Sequence, residues 1–154
     1  MVQTKCGFNS SPGADGSELL TSLGPTLYVD IGFDPTYVPA AIPRIIPVPG
    51  LTQIEALVDT GANISCIDNL LAAQLSLPII DRRPVSGIHG IGDANIYLAQ
   101  VHVSSLGFTI YGEFIGVDLQ AGGQWHKALI GRTFLRNFTM TYEGRTGTVI
   151  ISSD

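Results

Sequence analysis

The chain has 154 residues, which is enough for one domain with a sizeable core and short for two. Hydrophobic residues make up 45% of it and charged residues only 14%, so we expect either a large core or a surface that is buried against a partner. The net charge of −5, without a basic cluster, argues against a nucleic-acid partner, and no apolar run approaches the roughly 18 residues of a membrane span.

The beginning of the chain is polar and rich in glycine and serine, without the apolar stretch of a secretory signal. We therefore predict a flexible lead-in over residues 1–24 and one domain over residues 25–154. The two cysteines, Cys6 and Cys66, are too few for a disulfide framework and are expected to be reduced thiols in a cytoplasmic protein. Neither has the neighbours that a zinc site needs, so no metal and no cofactor is expected.

After the lead-in, glycines and prolines divide the chain into short pieces rich in β-branched and aromatic residues, which predicts an all-β domain. A first strand is predicted over residues 26–33. The proline-dense segment over residues 34–50 predicts an extended loop or a sheet edge, because proline cannot donate to a strand ladder. A second strand, over residues 52–58, runs into the sequence Asp59-Thr60-Gly61-Ala62.

Further along, a short strand is predicted over residues 64–67, and Asp68 is placed to cap a helix over residues 69–75. Glycines between residues 85 and 96 predict a mobile hairpin tip. The pair Arg82-Arg83 is interpreted as part of a solvated loop. The remaining predicted elements are strands over residues 96–103 and 108–117, a loop over 119–127, a strand over 128–130, a helix over 132–137 and a hairpin over 139–151 that turns at Gly144.

The most informative stretch is Asp59-Thr60-Gly61-Ala62, because it places a carboxylate where an apolar strand ends in a tight loop. Two such carboxylates at close range cannot both ionise, so they share a proton; the aspartic-protease dyad is the standard example of this behaviour. One member then activates water and the other protonates the leaving amine. The chain carries one copy of the loop, so a second carboxylate has to come from a second chain.

Together with the later sequence Leu129-Ile130-Gly131-Arg132, this loop resembles the retropepsin-like, single-domain aspartic proteases, which include retroviral proteases and cellular and bacterial relatives. The resemblance covers about residues 26–151. It implies an all-β, closed-barrel-like acid-protease fold with one or two short helices, active as a homodimer on a peptide or protein substrate. Asp59, Thr60 and Gly61 match the catalytic loop, and Thr60 matches the residue that interlocks with its dimer mate.

The resemblance also implies further roles around this loop. Residues expected to contact substrate are Ala62, Asn63, Ile64 and Leu129, together with Ile88, His89, Gly90 and Ile91 of a glycine-rich flap. Structural support of the loop is expected from Ile130, Gly131 and Arg132. Asn63 and Ile64 stand where retroviral members often carry acids, so Arg132 is expected to bond Asn63 or a backbone carbonyl instead. The C-terminal hairpin is longer than a retroviral ending and is more similar to that of relatives in ubiquitin-shuttle proteins.

Two other interpretations stay open. The same fold serves equally well as a non-catalytic dimerisation or peptide-binding module, because a fold does not imply its function. The second is an unrelated β-domain in which Asp59 only caps a turn. The other candidate side chains are weaker: Ser65 has no histidine placed to activate it. The remaining acids are expected to be helix caps, loop residues or surface residues: Asp68, Asp81, Asp93 and Asp118. The histidines His102 and His126 are expected to be structural or loop residues.

Overall fold

The computed structural model describes residues 1–36, 50–87 and 90–153. Its strands are β1 Gln3–Lys5, β2 Thr26–Gly32, β3 Leu51–Val58, β4 Cys66–Asp68, β5 Ile79–Gly87, β6 Gly90–Val103, β7 Phe108–Val117, β8 Ala128–Ile130, β9 Thr139–Glu143 and β10 Thr148–Ser152. Its helices are α1 Gly16–Leu23, α2 Asn69–Gln74 and α3 Arg132–Leu135, with one 3-10 turn at Ser104–Leu106. None of the helices in these ranges has the length and apolar character needed to cross a membrane.

Six strands close into a barrel. They lie in the order β2-β3-β8-β4-β7-β6, and β6 pairs back with β2 to close the ring. Strand β5 continues the sheet outward from β6, so the β5–β6 hairpin projects from the barrel. A separate three-stranded sheet has the order β1-β10-β9. This architecture confirms the predicted all-β, closed-barrel class with few short helices.

The barrel closes because its strands are apolar on the inward face. In β2 the alternate residues Leu27, Val29 and Ile31 are at most 2% exposed, which is the period-two burial expected of a strand. The aromatic ring of Phe134 in α3 lies edge-on to that of Phe108, at a centroid distance of 5.4 Å. Helix α3, which follows β8 directly, is therefore packed into the core. This packing fixes the position of the C-terminal end of β8.

The prediction of a flexible lead-in over residues 1–24 is wrong for most of that segment. Strand β1 pairs antiparallel with β10, and Asp15 caps α1 by accepting a hydrogen bond from the backbone N–H of Ser17. The side chains of Cys6 and Leu20 are only 2% exposed and belong to the hydrophobic core. Gly7, which suggests flexibility in the sequence, serves close packing, since a Cβ on it would overlap the backbone of Gly147 and Val149.

The hairpin formed by β5 and β6 is longer and more regular than predicted. The glycines of the expected mobile tip lie within strands that are paired from Ile79↔Tyr97 to Gly87↔Gly90. The pair Arg82-Arg83 lies in β5 rather than in a loop. Pairing with β5 holds residues 90–95 extended although their local preference is for turns, and β6 pairs with β7 only from Ile96 to Val103. Residues 88 and 89 of the predicted flap, and most of the proline-dense segment, lie outside the described residues.

Candidate active site

The two sequence motifs meet because the strands before them lie side by side. Strands β3 and β8 are parallel neighbours, with Val58 in register with Ile130, so both motifs begin at the same edge of the barrel. The backbone N–H of Asp59 donates to the carbonyl oxygen of Ile130 at 2.9 Å. Asp59 is half-buried, whereas Thr60 and Gly61 are exposed. The loop thus presents one carboxylate at the barrel edge and leaves the next two residues open to a partner.

The carboxylate of Asp59 is oriented by its own loop. Its Oδ1 accepts a hydrogen bond from the backbone N–H of Gly61 at 2.9 Å. The backbone N–H of Ala62 donates to the carbonyl oxygen of Asp59 at 3.3 Å and closes the turn. The turn therefore restricts the carboxylate to one orientation.

The residues after β8 support this loop from behind. The backbone N–H groups of Arg132 and Thr133 donate to the carbonyl oxygens of Ala62 and Asn63, at 2.8 and 3.0 Å. A Cβ on Gly131 would lie 2.8 Å from the carbonyl oxygen of Ala62, so only glycine permits this close approach. Arg132 donates from Nη1 to the carbonyl oxygen of Thr60 at 2.7 Å, in agreement with the expectation of a backbone partner.

Ser65 has a supporting role that the sequence analysis missed. Its Oγ accepts a hydrogen bond from the backbone N–H of Gly131 at 3.0 Å, and the residue is only 3% exposed. The bond joins the chain leaving the acidic loop to the Gly131 turn. A hydroxyl residue standing between two apolar residues, Ile64 and Cys66, is the sequence signal for such a buried acceptor.

Cys66, the residue after Ser65, is a buried thiol and not a nucleophile. Burial, and secondarily the negative charge of Asp59, raises the pKa of the Cys66 thiol to about 11. At that value the sulfur is protonated throughout the physiological range and is unreactive.

Two cavities lie beside the residues that follow the acidic loop and share Ile64 and Glu113, and none of the loop residues 59–62 lines either of them. The larger cavity, of about 370 Å³, lies between the loop and strand β5. Its lining residues are Asn63, Ile64, Arg83, Pro84, Val85, Ser86, Ile96, Glu113 and Ile115. The smaller cavity, of about 270 Å³, is lined by Ile64, Ser65, Ile110, Tyr111, Gly112, Glu113, Phe114 and Thr133. Both are mostly apolar clefts with a few polar groups, as is usual for ligand sites.

The predicted substrate residues fall at different places around these cavities. Asn63 and Ile64 line the larger one, whereas Leu129 lies in β8 between β3 and β4 and lines neither. Gly90 and Ile91 begin β6, and the side chain of Ile91 is 77% exposed. Ile88 and His89 are outside the described residues. The sequence analysis missed the wall formed by β5 and β7, because that wall depends on strand register and not on a local motif.

The comparisons with known proteins give a likeness to solved structures and no family. No protein-family model matches the chain, and no curated protein matches it either. Among solved structures, the chain is similar to "EIAV protease complexed with the inhibitor HBY-793", with 17% sequence identity and a TM-score of 0.48. The match covers 73% of this chain and 85% of that chain. A likeness at this identity carries no information about activity.

Replacement of Ser65 by Ala tests the link between the two motifs. We expect Ser65→Ala to lower the free energy of unfolding by about 1–3 kcal/mol, because the buried N–H of Gly131 loses its acceptor. Denaturation in urea measures the change. Ser105→Ala, at an exposed serine of the 3-10 turn, is the matched control and is expected to change stability by less than about 0.5 kcal/mol. Equal effects of the two substitutions would contradict the supporting role of Ser65.

Proposed function

We propose that the chain is an aspartic endopeptidase that hydrolyses peptide bonds as a homodimer, with one Asp59 from each chain. The observation that carries the proposal is the placement of the Asp59 carboxylate. It lies half-buried at the end of β3, is oriented by the N–H of Gly61, and is backed by the Gly131 turn. The order and contacts of the two motifs support the retropepsin-like interpretation more strongly than the tripeptide Asp59-Thr60-Gly61 does alone.

The proposed reaction uses water and the two carboxyl groups, without a cofactor. The ionised Asp59 takes a proton from water as the water oxygen attacks the carbonyl carbon of the peptide. The protonated Asp59 of the second copy donates its proton to the carbonyl oxygen, which gives a tetrahedral diol. The carboxyl group that took the proton from water gives it to the amide nitrogen, the C–N bond breaks while a hydroxyl of the diol gives its proton to the other carboxylate, and the dyad again holds one proton. Thr60 of each chain, exposed beside Asp59, locks the two loops together.

The two cavities are the proposed binding clefts for the side chains of the substrate. An extended peptide lying across the acidic loop puts side chains into the two clefts on either side of Ile64. The β5–β6 hairpin covers the peptide from above, because residues of β5 already form one wall of the larger cleft. The low charged fraction of the chain, 14%, suits a dimer interface and an apolar cleft.

A peptide-binding module without catalysis is the second candidate. It is favoured by one observation: both cavities are formed within a single chain, so binding of a peptide does not require the second carboxylate. The same surface then recognises extended peptides and releases them unchanged. Dimerisation is compatible with both candidates and does not separate them.

A peptide library assayed from about pH 3 to about pH 8 separates the two candidates. We expect cleavage that is fastest at mildly acidic pH, falls as the second carboxyl group of the dyad ionises, and is blocked by a pepstatin-type inhibitor. Light scattering on the same sample should give the mass of a dimer. Binding without turnover at every pH would favour the module, and a flat or alkaline-peaked rate profile would contradict a dyad that shares one proton.

A further inference from the structure

Arg83 joins two carboxylates at the border of the larger cavity. Its Nε donates to Oδ2 of Asp81 at 2.6 Å, while Nη1 and Nη2 donate to the two carboxylate oxygens of Glu113 at 2.7 and 2.9 Å. The pairing with Glu113 is bidentate, which is the strong and directional form of an arginine–carboxylate contact. We call this group, Asp81, Arg83 and Glu113, the Arg83 bridge. Arg83 and Glu113 both line the cavity.

The Arg83 bridge crosses a whole strand. Arg83 is in β5 and is paired with Ala94 of β6, whereas Glu113 is in β7 and is paired with Leu98 of β6. The contact therefore runs diagonally over Ile96, which lies between those two positions and is only 1% exposed. A side-chain bond that spans β6 connects the outer strand of the hairpin directly to a barrel strand.

Strand β5 has few other restraints. It is the last strand of its sheet, and β6 is its only strand partner among the described residues. Two-stranded ribbons twist more than larger sheets and are marginally stable by themselves. The register of β5 also shifts between Ile79 and Asp81, just before the bridge. A tie from β5 to β7 at Arg83 thus acts at the point where the hairpin leaves the barrel.

We propose that Arg83 and Glu113 are positioning residues that hold β5 against the barrel, so that Pro84, Val85 and Ser86 stand as a fixed wall opposite Asn63 and Ile64. The proposal deepens the proposed function, because it rests on the larger cavity being a substrate cleft. The bridge determines the width of that cleft and therefore the fit of the substrate side chain. It acts through the hairpin and does not touch the reacting atoms.

The bridge is built to persist at the acidic pH that an aspartic dyad requires. Hydrogen bonds from Arg83 hold the pKa of Glu113 below its ordinary value. The backbone N–H of Arg82, followed by the side chain of Arg83, does the same for the pKa of Asp81. The other charged groups of the hairpin are on its opposite face: Arg82 bonds Asn95, and Asp93 is the register partner of Pro84. Asp81 and Glu113 therefore keep their charges to lower pH than carboxyl groups without such partners do.

Hydrogen–deuterium exchange tests the bridge with adjacent arginines as the matched pair. At about pH 5 we expect Arg83→Met and Glu113→Gln each to raise amide exchange of residues 81–87 about three- to tenfold. Arg82→Met removes the same charge one residue away, together with the bond to Asn95 of β6, but leaves the contact with β7 in place, so it should raise exchange in this segment less than Arg83→Met does. The double variant should exchange no faster than either single variant. The β9–β10 hairpin serves as the internal reference.

Kinetics on any peptide that the protein cleaves supply the second readout. Arg83→Met is expected to raise KM about three- to tenfold with a smaller effect on kcat, since the wall contacts substrate in the ground state and transition state alike. The exchange measurement needs no turnover. It therefore tests whether the Arg83 bridge holds β5 against the barrel even if the protein proves not to be a protease. Exchange in Arg83→Met that equals that in Arg82→Met, or an unchanged KM, would overturn the proposal.

Discussion

Replacement of Asp59 by Asn is expected to abolish peptide cleavage, with a loss of at least about 10³-fold, while the protein remains folded and dimeric. A homodimer of the variant carries an amide in both copies, and an amide can neither take a proton from water nor hold the shared proton of the dyad. The carbonyl oxygen of Asn can still accept the hydrogen bond from Gly61 that Oδ1 accepts in the unaltered protein, so the loop geometry is retained. Single-turnover cleavage and light scattering measure the two parts of the expectation.

Asp118→Asn is the control for that experiment. Asp118 is an acid outside the site whose Oδ1 accepts a hydrogen bond from Asn69, and its replacement should leave the cleavage rate within about twofold. Cleavage that survives in purified Asp59→Asn protein would show that Asp59 is not the acid. Loss of cleavage together with loss of the dimer would instead assign the effect to assembly.

Replacement of Asp68 by Ala is expected to produce the largest loss of stability, about 3 kcal/mol or more in the free energy of unfolding. The Asp68 carboxylate is completely buried and accepts hydrogen bonds from the backbone N–H groups of Leu71, Leu119 and Gln120. It also accepts one from the side-chain amide of Gln120. Alanine leaves all four donors without their acceptor and removes the cap of α2. Denaturation in guanidinium chloride measures the change, provided that the free energy of unfolding depends on denaturant concentration with the same slope in both proteins.

Two variants make the Asp68 result specific. Asp118→Ala removes a nearby acid that has one exposed hydrogen bond and should cost less than about 0.5 kcal/mol. Asp68→Asn should fall between the two, because one of its side-chain atoms accepts hydrogen bonds while the other faces donors with an N–H₂ group. A loss in Asp68→Ala no greater than that in Asp118→Ala would show that the buried carboxylate is not the anchor of this region.

The strands that could be predicted are those whose local sequence and tertiary environment agree. The apolar triplet Ala128–Ile130 lies between a charged residue and a glycine, and β8 begins at Ala128 and ends at Ile130 as predicted. Asp68 was likewise predicted as a cap and is one. Residues 1–24 were mispredicted because glycine and serine favour a loop locally, whereas the free edge of β10 and the burial of Cys6 decide the outcome. The strand partner of β1 lies more than a hundred residues away along the chain and leaves no local signal.

The same distinction applies to the site. Asp59 and Gly131 were expected together because each belongs to a short motif and the two motifs are connected by a family resemblance. Ser65 and Arg83 were not expected in their roles, since their partners, Gly131 and Glu113, are set by the pairing of distant strands. A polar residue in an apolar stretch is a local hint for Ser65. No comparable hint exists for Arg83, whose contact depends on the register of three strands.

The pairing of β1 with β10 has a consequence for biosynthesis. Residues 3–5 find their strand partners at residues 150–152, so β1 leaves the ribosome long before the strand with which it pairs. At ordinary translation rates this wait is roughly 7 to 30 s, during which Cys6 and its neighbours have no sheet to join. The three-stranded sheet therefore forms only after residue 152 has been released, and a nascent chain that stops before β10 cannot complete it.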